Sequence, residues 1–129
     1  RNPNANQITA RTCERLCQQL MAERTRETDL VGEIQSRCLI SPHRLPTAKE
    51  MAQQLDMSNR TLLRKLVDLN TSYKAVTDGV KKSLAIEFLS NTSMAIDEIA
   101  SRIGYHDTSN FRKAFKRWTG LSPSSYRNR

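Results

Sequence analysis

Apolar residues recur along most of the chain at steps of three and four, the period of helices that bury one stripe. After a polar leader over residues 1–7, Cys13, Leu16, Cys17 and Leu20 predict an amphipathic helix over 8–24. A charged break at 23–29 follows. Asp29 then caps a second helix to about Cys38, with Leu30, Ile34 and Cys38 on one stripe and Val31 beside it. Pro42 and Pro46 bracket a loop. Thr47 caps a helix to Leu55 that turns Met51, Ala52 and Leu55 inward, and Asp56-Met57 makes a short turn. Ser58 caps the next helix, whose stripe is Leu62, Leu66 and Leu69. A long helix over 73–90 places Val76, Val80, Leu84 and Phe88 inward. Gly79 inside it costs about 1 kcal/mol relative to Ala. Two more short helices are expected within 95–119, then a closing turn or helix over 120–127.

The pattern contains an internal repeat. Glu50, Met51, Ala52 and Leu55 match Glu98, Ile99, Ala100 and Ile103. In the following helix Ser58, Leu62, Arg64, Leu66 and Leu69 match Asp107, Phe111, Lys113, Phe115 and Trp118. Gly104-Tyr105-His106 stands where Asp56-Met57 stood, so the second turn is one residue longer. Each copy is a helix, a tight turn and a helix, and the inward Ala lets its two helices cross closely. The expected fold is all-α: two helix-turn-helix subdomains (47–69 and 95–119) joined by a long linker helix (73–90), with an N-terminal leader helix.

Charge sharpens this picture. The 129 residues carry a formal net charge of +8. Asp and Glu are absent from 108–129, where Arg112, Lys113, Lys116, Arg117, Arg127 and Arg129 lie. A localised basic excess suits a polyanion partner. No apolar run reaches membrane-span length and no signal-peptide pattern opens the chain, so no membrane association is expected. The chain opens on Arg1 rather than Met, which we read as a segment of a longer protein.

Stepping about 100° per residue around the second helix of each unit gives the outward faces. Arg60, Arg64 and Val67 point out in the first unit, with Leu63 on the flank and Asn59 at the tip. Ser109, Lys113 and Lys116 point out in the second, with Arg112 on the flank and Thr108 at the tip. Arg presents a fork to guanine O6 and N7, Asn pairs with adenine N6 and N7, and Leu offers apolar contact to a thymine methyl. The expected base-contacting set is therefore Asn59, Arg60, Leu63, Arg64, Thr108, Ser109, Arg112 and Lys113. Lys116, Arg117, Arg102, His106 and the helix start at Thr47 are expected to contact phosphate.

Blander readings stand beside these. Basic residues on helix surfaces are usually only solvated, and Asp107 and Ser58 are best read as caps. Phe111, Phe115, Trp118 and Tyr105 share the buried stripe and read as core. Cys13, Cys17 and Cys38 offer thiols at ligand-like spacing, but three small packing residues is the favoured reading. A helical thiol or metal protein is the minor alternative. No Gly-rich phosphate loop or catalytic constellation is present in the sequence, so neither enzymatic activity nor a cofactor is expected.

The C-terminal half resembles the DNA-binding domain of the arabinose-operon regulator (AraC/XylS) family of bacterial transcription factors. The matching residues are I-x-E-I-A at 96–100, I-G-Y at 103–105, D-x-S-x-F at 107–111, K-A-F-K-R-W-T-G at 113–120 and S-P-x-x-Y-R at 122–127. SNRTLLRKL at 58–66 resembles a subgroup that carries a large effector-sensing N-terminal domain. The resemblance implies two subdomains binding successive major grooves on one face of DNA. It places the readers at Arg60, Leu63, Arg64, Thr108, Ser109, Arg112 and Lys113. It further implies RNA polymerase and the N-terminal effector and dimerisation domain as partners, and a cytoplasmic, nucleoid-associated location. Residues 1–27 then read as a linker and helix trailing that domain, and 28–129 as the DNA-binding domain. The chain departs from the family pattern at His106, at Thr108 where Gln is frequent, and at Gly79 and Lys81 in the linker helix. A non-specific or architectural DNA-binding module is the closest rival.

Overall fold

The computed structural model describes residues 5–23 and 29–129, and the side chains of 8–18 and 30–129. Among the described residues it has eight helices and no strand. They are α1 (Ala5–Glu23), α2 (Asp29–Cys38), α3 (Ala48–Gln54), α4 (Asn59–Asp68), α5 (Tyr73–Asn91), α6 (Ile96–Arg102), α7 (Thr108–Thr119) and α8 (Pro123–Asn128). The expected leader helix, double helix-turn-helix and linker helix are all present. Leu20 and the Asp29 cap lie outside the described side chains, as does most of the 23–29 break.

The linker helix α5 is the axis of the molecule, and α1, α2, α6 and α8 pack against it. Its buried face is wider than the four-residue stripe suggested: Thr77, Ala85 and Leu89 join Val76, Val80, Leu84 and Phe88. A helix wrapped by neighbours on several sides buries more than one narrow seam. Thr77 satisfies its buried hydroxyl by donating to the Lys74 carbonyl at 3.1 Å. The buried side chains form one continuous cluster, from Cys13 and Leu16 on α1 to Phe111 and Phe115 on α7. The leader helix is thus packed into the same core as both units.

Caps and turns follow the sequence closely. Thr47 and Glu50 close a reciprocal capping box at the start of α3. Ser58 accepts from Thr61 N at the start of α4, and Asp107 accepts from Ser109 N at the start of α7. Both helix-turn-helix turns use the same hydrogen-bonding device, a Schellman motif. Met57 N donates to Ala52 O at 3.0 Å, and Tyr105 N to Ala100 O at 2.9 Å. The residue in the left-handed region is Asp56 (φ 59) in the first and Gly104 (φ 96) in the second. The extra residue of the second turn is therefore His106, after the motif is complete.

Candidate nucleic-acid interface

Each recognition helix is held by its apolar stripe and presents the opposite face to solvent. In α4, Leu62 and Leu66 are fully buried, each contributing roughly 1.5–3 kcal/mol. In α7, Phe111 and Phe115 are fully buried and Ala114 nearly so. Asn59, Arg60 and Arg64 are exposed on α4, and Ser109, Arg112, Lys113, Lys116 and Arg117 on α7. Leu63 and Val67 are exposed apolar residues on α4, at 40% and 67%. Thr108 at the tip of α7 is half-buried. The outward positions from the helical wheel are thus outward in the structure, with Thr108 the least accessible.

The residues expected to contact phosphate divide. Lys116 and Arg117 extend the exposed basic face of α7. Thr47 is exposed and uses its hydroxyl as the α3 cap, accepting from Glu50 N. Arg102 is half-buried and pairs with Glu98 one turn before it, Nε to Oε2 at 2.7 Å. His106 is exposed and lines one open cleft with Arg102, His43 and Gly104. That cleft exists because the 42–43 backbone lies against the second turn: a Cβ on Gly104 would sit 3.0 Å from the His43 carbonyl oxygen.

Two residues counted in the basic C-terminal run are not on this face. Arg127 donates to three carbonyls at the end of α5, and Arg129 stacks its guanidinium 4.2 Å from the Tyr126 ring centroid. Lys81 on α5 lies 4.9 Å over the Tyr105 ring. Tyr105 in turn contacts Phe111 and Trp118. Burial, then the Asp78 carboxylate, pushes the Tyr105 hydroxyl up from its ordinary value. The Arg127 and Lys81 contacts are not visible in residue spacing, because each joins elements far apart in sequence.

None of the three thiols is in a disulfide; Cys13 and Cys38 are buried, and half-buried Cys17 donates to Ser36 Oγ at 3.8 Å. Burial, aided at Cys13 by Cys17, pushes the Cys13 thiol up to about 11; burial does the same at Cys38, against weaker opposing contacts. Neutral buried thiols pack as small apolar groups, as the favoured sequence reading had it.

A double helix-turn-helix around a shared axis, with two outward basic helix faces, is the architecture of DNA-binding regulators. The helix-turn-helix domain profile matches residues 51–129. The ornithine utilization regulator of Pseudomonas aeruginosa is 39% identical over 123 residues, covering 95% of this chain and 36% of its own. The crystal structure of the transcriptional regulator CdpR from Pseudomonas aeruginosa aligns with a TM-score of 0.72 and 38% identity, over 78% of this chain and 32% of that one. The DNA-binding domain of AdpA, solved in complex with a target DNA, aligns with a TM-score of 0.68 and 25% identity, over 76% of this chain and 89% of its own. The chain belongs to the AraC-type helix-turn-helix family, whose members matched here are transcriptional regulators and not enzymes. It spans little more than a third of the length of the curated relatives it matches first, 36% and 37%.

Proposed function

We propose that this chain is the sequence-specific double-stranded DNA-binding part of a bacterial transcriptional regulator. In this reading α4 and α7 enter successive major grooves on one face of the duplex. The carrying observation is the duplicated unit itself: in both copies a capped helix is anchored by buried apolar residues and turns polar, hydrogen-bonding side chains outward. Asn59, Arg60, Leu63 and Arg64 read bases from α4, and Thr108, Ser109, Arg112 and Lys113 from α7. Thr47, Arg102, His106, Lys116 and Arg117 contact phosphate and set register. For Arg102 this requires sharing its guanidinium with Glu98.

Residues 28–129 form the DNA-binding domain in this reading, and 1–27 lead from an N-terminal effector-binding and dimerising domain. RNA polymerase is the expected second partner, and the location is cytoplasmic and nucleoid-associated. No helix of the described residues is long and apolar enough to cross a membrane. Selection from random duplexes tests the reading. Two half-motifs about one helical turn apart, roughly 34 Å, are expected. Equal affinity for all duplexes would instead point to an architectural module.

A further inference from the structure

The linker helix α5 is tied at both ends, at its start by its own Tyr73 and at its end by Arg127 of α8. At its start, the Tyr73 hydroxyl donates to the Pro46 carbonyl at 2.6 Å, directly before the Thr47 cap of the first unit. At its end, Arg127 of α8 reaches back across 35 to 39 residues of sequence. Its Nε donates to Leu89 O, and its Nη2 to Phe88 O and Thr92 O, each at 3.2 Å. These are carbonyls of the last turn and cap of α5, where a helix runs out of intrahelical donors and carries partial negative charge; Phe88 O is shared with the Thr92 N–H and hydroxyl, at 3.2 and 2.6 Å. The neighbouring Tyr126 packs edge-on against Phe115, ring centroids 5.4 Å apart, on the buried side of α7. A continuous path therefore runs from the end of α5 through Arg127 and Tyr126 to the second recognition helix.

We propose that Arg127 is a positioning residue that fixes where α7 sits relative to α4, and so sets the half-site spacing the chain accepts. A guanidinium is suited to this because its planar fork holds several acceptors at defined angles at once; a lysine ammonium lacks that geometry. The contact is half-buried, unlike the exposed Arg112 and Lys113. Loss of Arg127 leaves both recognition surfaces intact but lets the second swing. The inference rests on the two-reader function proposed above.

The test compares this chain with its Arg127→Ala and Arg127→Lys variants by selection from random duplexes, with thermal melting as the folding control. The unaltered chain is expected to return two half-motifs at one spacing. Arg127→Ala is expected to return the same half-motifs with spacing spread over one or two base pairs either way. Affinity for the best composite site should fall roughly tenfold or more, because the second half-site is engaged at lower effective concentration. The slope of log affinity against log salt should not change. If Arg127 instead contacted phosphate, that slope would fall by about one. A variant that keeps the single spacing, with or without a changed slope, overturns the proposal. Should Arg127→Ala be unfolded at the binding temperature, Arg127→Lys decides: partial broadening supports the proposal and unaltered spacing overturns it. If the unaltered chain returns no paired motif, the two-reader function itself fails, an outcome distinct from failure of the Arg127 assignment.

Discussion

The two helix-turn-helix units share a skeleton and differ in how each is finished. Glu50 and Glu98 occupy matching positions. In the first unit the cap is Thr47, and Glu50 reaches back to the Thr47 N–H to close the capping box. In the second the cap position is Ala95, which makes no side-chain cap, and Glu98 pairs with Arg102 instead. Two substitutions accompany this change of partner: Ala95 stands where Thr47 caps, and Arg102 stands where the first unit has Gln54. The cores differ as well. Aliphatic residues hold α4, whereas Phe111, Phe115, Trp118, Tyr105 and Tyr126 interlock around α7. Outside, α4 mixes Asn59, Arg60 and Arg64 with exposed Leu63 and Val67, while α7 offers small hydroxyls at its start and a basic run beyond. We read the first unit as the stronger source of sequence discrimination and the second as the stronger source of backbone affinity.

The turns give the largest expected contrast. Gly104→Ala puts a Cβ at 3.0 Å from the His43 carbonyl and a side chain at φ 96, and should cost about 1–3 kcal/mol. Asp56→Gly, at the matching turn position with φ 59, should stabilise by about 0.5–1 kcal/mol, since Gly adopts that region without strain. Denaturant unfolding of both variants checks the pair; equal and opposite effects are not expected, and a harmless Gly104→Ala would show that the 42–43 segment yields.

The readers come next. Arg60→Ala and Arg64→Ala should each lose about 1–3 kcal/mol for the preferred site over a site changed at one base. Lys116→Ala should weaken all sites about equally and lower the salt slope by about one. Competition binding with single-base variants measures this. A larger loss of discrimination from Arg112→Ala than from Arg60→Ala and Arg64→Ala together would reverse the assignment of roles.

The caps and the linker are smaller. Thr47→Ala should cost about 1 kcal/mol, and Ala95→Thr should gain somewhat less by giving the second unit its missing cap. Gly79→Ala should raise stability by about 1 kcal/mol, because a Cβ there meets nothing within 4 Å. Thermal melting resolves each of these.

Much of this is legible in the sequence. Leu62 and Leu66 against Phe111 and Phe115 fixed which faces turn outward, because period and burial are the same information read twice. Thr47, Ser58 and Asp107 announced the helix starts. What stayed hidden were the contacts between distant segments. Six-residue α8 is too short to show a period, so nothing in spacing marked Arg127 as bound to α5 carbonyls rather than exposed with its basic neighbours. The Glu98–Arg102 pair was visible as an i,i+4 spacing, and the first unit has no counterpart because Gln54 stands at the position matching Arg102. The place of His106 as the inserted turn residue needed the backbone hydrogen bonds.

The central claim is that one chain reads two grooves. Hydroxyl-radical and methylation footprinting of this chain on a duplex recovered by selection tests it most directly. The prediction is two protected patches on one face of the duplex, with major-groove guanines shielded about one helical turn apart, and with the patch under α4 lost selectively in Arg60→Ala/Arg64→Ala. A single protected patch, or uniform weak protection across the duplex, would contradict it.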